Sequence, residues 1–174
     1  LNGTGVGEFL GINKSDAVIE IAKENGQTAS TILGGNLVSM AKRCWHYDDA
    51  IWIANPDTMP QLLAAASSTN IPALRPARNE DTAYECLARP IFFNEHLETL
   101  GTAGDILLIN AAEYVEGIYK PLNTVESIHV RFIHDERAFR FSVRNAGAPW
   151  WSSPLTPKNG NATLSPFVRL ATRA

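Results

Sequence analysis

Residues 84–95 read Tyr-Glu-Cys-Leu-Ala-Arg-Pro-Ile-Phe-Phe-Asn-Glu, and residues 104–110 read Gly-Asp-Ile-Leu-Leu-Ile-Asn. Each stretch contains a short apolar run rich in β-forming side chains, at residues 90–93 in the first and 106–109 in the second. Residues 50–54, Ala-Ile-Trp-Ile-Ala, are a third run of the same kind. Short apolar runs bounded by turn residues are typical of buried strands, so these three stretches predict a central sheet.

Two helices are predicted beside these strands. Within residues 28–46, basic residues gather near the end and apolar side chains recur at the helical period, at Leu33, Leu37, Met40 and Cys44. Gly34 and Gly35 lower the helix propensity, and we interpret them as a place where another backbone approaches closely. In the second helix Thr58 is predicted as the N-cap, Pro60 lies in the first turn, and the helix continues to Ala66.

Two further stretches define the outer parts of the molecule. Residues 67–82 lack apolar periodicity and are predicted to be a long structureless loop, which in compact domains is usually functional or flexible. Farther along, apolar and polar side chains alternate on both sides of a polar turn at residues 134–137, with the apolar positions at Ile128, Val130, Phe132, Phe139, Phe141 and Val143. This pattern predicts a long two-stranded ribbon over residues 126–145 with one apolar face.

The composition indicates one globular domain: of 174 residues, 45% are hydrophobic and 19% charged. A net charge of −3 excludes an overall basic field for binding phosphates. No apolar run approaches the roughly 20 residues that cross a bilayer, so we expect a soluble protein with no membrane partner. Cys44 and Cys86 form no metal-binding or disulfide pattern and fit a reducing cytoplasm. Leu1 leads directly into a glycine-rich turn, and we expect the chain to be the remainder of a longer polypeptide.

The strongest candidate for a phosphate-binding loop is Asn-Gly-Thr-Gly-Val-Gly at residues 2–7. A Walker loop ends in Gly-Lys followed by Ser or Thr, whereas Gly7 is followed by Glu8, whose charge repels phosphate. The pattern therefore favours a glycine turn that leads into a short extended segment at residues 9–12.

Other candidate chemistry is weaker still. His129 and His134 are five positions apart on a predicted strand and would face opposite sides, so we favour a solvated hairpin tip over a metal site that includes Asp135 and Glu136. Cys44 is in phase with the apolar stripe of its helix, which predicts a buried structural thiol rather than a nucleophile beside His46. No basic residues are interleaved with the tryptophans, which we interpret as core or interface side chains: Trp45, Trp52, Trp150 and Trp151. We expect no catalytic residue, metal or cofactor.

Several features together resemble a known family. In chain order they are the glycine-rich opening at residues 2–5, the strand, Asn-Pro turn and helix of residues 51–62, the returning strand of residues 87–91, the pair Gly104-Asp105 before an apolar strand, and the ribbon of residues 126–145. By these features the chain is similar to the C-terminal portion of the tailed-bacteriophage or prophage major capsid proteins of the Hong Kong 97 type. One position departs from the family pattern, because Ala88 stands where a glycine is usual.

The resemblance implies a mixed α/β fold with an axial-domain sheet flanked by helices and a peripheral domain built on the long β-ribbon. The implied division is residues 1–14 as a peripheral segment, 15–115 as the axial domain, and 116–174 as the ribbon and a C-terminal return segment. The implied function is that of a structural head subunit, not an enzyme. Such subunits self-assemble into the icosahedral shell that encloses double-stranded DNA.

The implied partners are other copies of the chain in pentamers and hexamers, together with portal, scaffold, protease or decoration proteins. DNA would be enclosed without sequence-specific binding, in a virion capsid whose subunits are made in the cytoplasm of the bacterial host. The family places the loop after the second helix at the capsomer axis, so residues 67–82 are predicted to meet their symmetry mates there. Charges of both signs are predicted at that interface: Arg75, Arg78, Glu80 and Asp81.

A second interpretation comes from a different class of protein. The chain could be a small α/β domain that binds a ligand or nucleotide with the loop from Gly3 to Gly7. Closed shells or capsomer rings in electron micrographs favour the first interpretation, whereas uniform monomers with nucleotide-dependent melting favour the second.

Overall fold

The computed structural model describes residues 1–65, 72–77 and 83–173. Strands and α-helices alternate up to Ala64, and the described residues after it form strands and short 3-10 turns. Within the described ranges the elements are β1 (Ile19–Ile21), α1 (Gly34–Arg43), β2 (Ile51–Ala54), α2 (Met59–Ala64), β3 (Leu74–Pro76), β4 (Tyr84–Cys86), β5 (Arg89–Phe93), β6 (Ile106–Ile109), β7 (Tyr114–Ser127), β8 (Ala138–Pro149) and β9 (Phe167–Leu170).

Seven strands form one mixed sheet in the order β1, β9, β6, β2, β5, β4, β3. The three strands predicted from the apolar runs are neighbours in it, with β2 antiparallel to β6 and parallel to β5. Strand β9 returns from far along the chain to lie between β1 and β6. The predicted central sheet is confirmed, and so is the mixed α/β fold class.

Both faces of the sheet are covered, which explains the uninterrupted apolar run of β6. All four side chains of β6 are buried, as expected for a central strand. On one face, Trp52 and Leu108 pack in a core that includes residues of both helices: Leu37, Met40 and Leu62. On the other face, Leu107 and Ile109 pack against side chains from the N-terminal segment and β9: Ile12, Ala17 and Phe167.

Helix α1 is shorter than the predicted range of residues 28–46. It begins at Gly34, because the Asn36 side chain accepts a hydrogen bond from the Leu33 backbone N–H at 2.9 Å and caps the helix there. The interpretation of the two glycines as a backbone contact is wrong for Gly35. A Cβ at Gly35 would meet the Glu24 carboxylate. That carboxylate therefore lies at the N-terminus of α1, where the helix dipole favours a negative charge.

The start of α2 differs from the prediction in its cap. The Asn55 side chain, rather than Thr58, accepts a backbone hydrogen bond, from the Asp57 N–H at 2.9 Å. Thr58 instead donates its hydroxyl to the Asn55 carbonyl, and α2 ends at Ala64. The Asn-Pro turn thus forms its own short helical turn at Pro56–Thr58 before α2 begins.

A two-residue turn joins β4 to β5, since Cys86 pairs with Arg89. Its two central residues, Leu87 and Ala88, have positive φ angles of 47° and 64°. This is the geometry of a type I′ hairpin turn, which favours Asn and Gly. Ala88, the residue that departs from the family's usual glycine, therefore has a backbone conformation that suits glycine. The Tyr47 hydroxyl donates to the Leu87 carbonyl at 2.9 Å and fixes the turn.

The predicted ribbon exists, but its first strand lies earlier in the chain than expected. Strand β7 (Tyr114–Ser127) pairs with β8 (Ala138–Pro149), so residues 128–137 form the tip rather than a strand and turn. The sequence pattern did not predict β7, because this strand contains Gly117 and Pro121, and both are poor strand formers. The register shifts between Ile118 and Asn123 absorb Pro121 as an irregularity in the pairing.

The prediction that residues 67–82 are structureless throughout is wrong for the part that the structure describes. Leu74–Pro76 forms edge strand β3, paired antiparallel with β4. The burial of Ala73 and Leu74 in the core anchors this strand. A strand this short shows no periodicity in the sequence. Residues 66–71 and 78–82 lie outside the described residues.

Candidate functional site

The glycine-rich opening forms the predicted turn, with positive φ angles at Gly5 and Gly7. The Glu8 carboxylate accepts hydrogen bonds from the Thr4 backbone N–H at 2.7 Å and the Thr4 hydroxyl at 2.9 Å. These bonds lower the pKa of Glu8. A carboxylate therefore occupies a position that a phosphate would need in a nucleotide site. The adjacent cleft, of about 660 Å³, is also lined by Glu116.

Both thiols are buried, as predicted for Cys44. Burial raises the pKa of Cys44 and of Cys86 to about 12. Since the thiolate is the reactive form, neither cysteine is poised as a nucleophile. His46 instead stacks on Trp45, with ring centroids 4.5 Å apart.

The predicted hairpin-tip residues His129, His134, Asp135 and Glu136 lie on the exposed tip of the ribbon. Within residues 1–65, 72–77 and 83–173, no group of three or more His, Cys, Asp and Glu side chains could hold a metal ion. Over the same residues, no helix is long and apolar enough to cross a membrane.

Of the four residues predicted at the capsomer axis, the structure describes only Arg75. It is exposed on the edge strand β3 and lies opposite Glu85 of β4. Arg78, Glu80 and Asp81 lie outside the described residues, so the structure does not test whether the four charges come together.

A buried ion pair joins Arg173 to Asp105, two side chains that are each 0% exposed. Arg173 also donates to the Thr31 carbonyl at 2.6 Å, and Asp105 accepts from the Gly101 N–H at 2.9 Å. Burial raises the pKa of Asp105, while the Arg173 guanidinium opposes that shift. The pair and its hydrogen bonds connect the segment after β9 to the loops that contain Thr31 and Gly101, at one end of the sheet. Sequence reasoning missed it, because the partners are 68 positions apart.

The ribbon has two chemically different faces. In β8, Phe139, Phe141 and Val143 lie on one face and are 55–65% exposed. We call this the apolar face. The opposite face carries Arg140 and Arg144, and Lys120 pairs with Arg144 across the ribbon. We call Lys120, Arg140 and Arg144 the basic face. The prediction of one apolar face holds for β8 only. The predicted apolar residues Ile128, Val130 and Phe132 lie in the tip, and Glu126 and Thr124 of β7 are opposite Phe139 and Phe141.

The base of the ribbon is joined to the N-terminal segment. Leu10 donates its N–H to the Gly147 carbonyl at 2.8 Å, and the Tyr114 hydroxyl donates to the Leu10 carbonyl at 2.9 Å. A Cβ at Gly147 would lie 2.9 Å from the Tyr114 ring, so a larger residue here would displace that ring. The first residues of the chain therefore contact the base of the ribbon.

Three of the four tryptophans meet beside this base, in what we call the aromatic cleft, of about 560 Å³, lined by Trp45, His46, Glu113, Trp150 and Trp151. Trp151 donates its indole N–H to the Glu113 carboxylate at 2.8 Å and lies 5.7 Å from Trp45 between ring centroids. The Trp150 side chain is 73% exposed. The fourth, Trp52, is fully buried in the core. The sequence indicated a core or interface role for the tryptophans, but it does not show that tryptophans far apart in the chain come together in the fold.

Comparison with protein families adds the decisive observation. The model of the "Phage capsid family" matches residues 1–158. The chain belongs to the phage capsid family. No curated protein matches the chain.

Solved structures show the same capsid fold. The capsid of an empty gene transfer agent (GTA) particle, computed with C5 symmetry, matches with a TM-score of 0.65 and 12% identity over 98% of this chain and 58% of that chain. The capsid of the native GTA particle, also computed with C5 symmetry, matches with a TM-score of 0.61 and 11% identity over 100% of this chain and 65% of that chain. The capsid-family chain thus spans about three fifths of the length of these neighbours. At such low identity the likeness shows the fold alone.

Proposed function

We propose that this protein is the major structural subunit of the head of a tailed phage or prophage, of the Hong Kong 97 type. It self-assembles through pentamers and hexamers into an icosahedral shell that encloses double-stranded DNA. The observation that carries the proposal is the family match over residues 1–158, supported by a fold shared with GTA capsids determined with fivefold symmetry.

The proposed role is mechanical rather than catalytic. The family and the fold are those of a structural protein. The two thiols are buried with pKa values of about 12, and the glycine-rich turn is closed on the Glu8 carboxylate. Because the net charge is −3, the chain has no overall basic field, and we propose that the DNA is enclosed without sequence-specific binding.

The proposed domain division follows the two sheets except at β9, which belongs to the return segment but lies in the seven-stranded sheet. Residues 15–115 form the axial domain around most of the seven-stranded sheet. Residues 1–14 and 116–174 supply the peripheral segment, the ribbon and the return segment. The hydrogen bonds from Leu10 and Tyr114 support grouping the first residues with the ribbon. In the assembled virion, portal, scaffold, protease or decoration proteins of such heads would contact this shell.

Residues 67–82 are proposed to meet their symmetry mates at the capsomer axis. In a closed ring, Arg75 and Arg78 of one copy would lie against Glu80 and Asp81 of the next, a heterologous contact repeated by rotation. Exposed ion pairs contribute about 0–1 kcal/mol each, so the contact would act through register and repetition. The exposure of Arg75 on an edge strand supports this role.

Charge reversal tests the axis contact. Arg75→Glu combined with Arg78→Glu should leave the unfolding transition unchanged but reduce the yield of capsomers measured by sedimentation. The charge-matched control is Lys14→Glu with Lys158→Glu, two exposed positions elsewhere. Normal shells from the Arg75 and Arg78 variant would contradict the proposed contact.

Electron microscopy of the full gene product tests the function itself. Shells or rings of copies are expected, together with no change in melting temperature on adding ATP. Uniform monomers that ATP stabilises would instead support the alternative, a nucleotide-binding domain built on Gly3 to Gly7.

A further inference from the structure

The aromatic cleft has the chemistry of a cation site. Indole faces attract cations through the ring quadrupole, most strongly among the aromatic side chains. One oxygen of the Glu113 carboxylate holds Trp151. Its other oxygen, Oε1, accepts no hydrogen bond from the residues that the structure describes. A cation entering the cleft would therefore find aromatic faces and an available carboxylate oxygen together.

The geometry of the cleft is fixed from several directions. The Trp45 backbone N–H donates to the Ser165 carbonyl at 2.8 Å, and the Trp150 N–H donates to the Glu113 carbonyl at 2.9 Å. His46 has a positive φ of 51° and stacks on Trp45 at an interplanar angle of 13°. The left-handed backbone is uncommon for a residue other than glycine. The rings of Trp45 and Trp151 are therefore held in place before any ligand arrives, whereas the Trp150 ring is fixed only through its backbone and is 73% exposed.

A guanidinium group fits this cleft better than an ammonium or a phosphate. It is planar, stacks on aromatic faces and can donate several hydrogen bonds to a carboxylate. No Lys or Arg lines the cleft, and Glu113 would repel a phosphate group, which disfavours nucleic acid. Tryptophan and arginine are also the residues enriched at the energetic centres of protein interfaces.

The basic face of the ribbon is the complementary surface. Lys120, Arg140 and Arg144 are in no ion pair with any of residues 1–65, 72–77 and 83–173. Over the same residues no hydrogen bond or ring contact joins this face to the aromatic cleft of its own chain. One copy thus presents two unpartnered surfaces of matching chemistry, as a head-to-tail contact between copies requires.

We propose that the aromatic cleft of one copy binds an arginine from the basic face of the ribbon of the next copy, at Arg144 or Arg140. The proposal rests on the proposed capsid function and names a contact within it. Each copy in a ring gives one ribbon and receives one. Trp150 lies against the guanidinium, and Glu113 accepts its hydrogen bonds.

Disulfide trapping in particles tests the contact directly. Two cysteine variants are made: Ser152→Cys, beside the cleft, and Arg144→Cys, on the ribbon. Both are mixed with an excess of unmodified protein, co-assembled into particles and oxidised. A covalent dimer of the two variants is expected on a denaturing gel without reductant. The matched control replaces Arg144→Cys by Val143→Cys, the neighbouring residue on the apolar face. The native thiols are buried and do not compete.

A double-mutant cycle supplies the second measurement. Trp150→Ala and the pair Arg140→Gln with Arg144→Gln should each weaken association between subunits by about two- to thirtyfold, the range for a cation–π contact. Combining them should weaken it no further than the arginine changes alone, because Trp150 then has no guanidinium to contact. Additive effects, or trapping that is as strong with Val143→Cys or absent from well-formed particles, would overturn the proposal. Failure of the unmodified protein to form particles would count against the capsid function instead.

Discussion

Ala88 has a backbone conformation that suits glycine better than alanine. It is exposed and has a φ of 64° in a two-residue turn. The left-handed conformation costs about 1–2 kcal/mol for a residue other than glycine. Replacing Ala88 by glycine removes that cost. Glycine also makes the unfolded chain more flexible, which offsets roughly 0.4–1 kcal/mol of the stability gained. We therefore expect Ala88→Gly to raise the free energy of unfolding by about 0.5–1 kcal/mol.

Chemical denaturation measures this effect. The control is Ala41→Gly inside helix α1, where the same change in composition should lower stability by about 1 kcal/mol. A loss of stability in both variants would show that Ala88 is not strained in the folded protein.

Arg173 and Asp105 form the other residue-scale feature with a large expected effect. Arg173→Met leaves a buried carboxylate without its cation, which typically lowers stability by about 3–5 kcal/mol. The control is Arg137→Met, which removes the exposed pair with Glu126 and should change stability by less than about 1 kcal/mol. Equal denaturation midpoints for the two variants would contradict the structural importance of the buried pair.

At the scale of elements, the sequence predicted strands whose patterns are local. Strands β2, β5 and β6 are short apolar runs between turn residues, so their composition alone indicated burial. The first strand of the ribbon was missed, because pairing with β8 outweighs the low strand propensity of Gly117 and Pro121. Neither the aromatic cleft nor the buried ion pair could be predicted from the sequence, since both bring together residues that are far apart in the chain.

The ribbon is an element without a core of its own. A two-stranded ribbon is marginally stable in water unless something packs against it. Phe139 and Phe141 are 57% and 65% exposed, so Phe139→Ala with Phe141→Ala should change the unfolding free energy of the single chain by less than about 0.5 kcal/mol per residue. By contrast, Phe167→Ala in the core should lower it by about 3–5 kcal/mol.

Denaturation followed by tryptophan fluorescence measures the unfolding free energy of both variants, because Trp52 is in the core and becomes exposed on unfolding. If the ribbon variant were as unstable as the core variant, the apolar face would have to be packed within the single chain. Unchanged stability together with reduced particle yield would assign the apolar face to contacts made on assembly.

At the scale of the whole molecule, we propose contacts between copies at three surfaces of the described residues: the long ribbon, the aromatic cleft, and the edge of the seven-stranded sheet at β3. The sheet itself is covered on both faces, and the buried Arg173 and Asp105 pair closes one of its ends. Such a molecule offers a rigid body with exposed attachment points. Because the chain belongs to the phage capsid family, these exposed surfaces are the ones that we propose as contacts between copies.

Cryo-electron microscopy of particles purified from cells that express the full gene product tests this account most directly. We predict closed shells whose capsomers are rings of copies with the fold described for residues 1–65, 72–77 and 83–173, and with every ribbon in contact with a neighbouring copy. A gene product that stays monomeric at high concentration, or particles whose subunits have a different fold, would rule out the proposed capsid function.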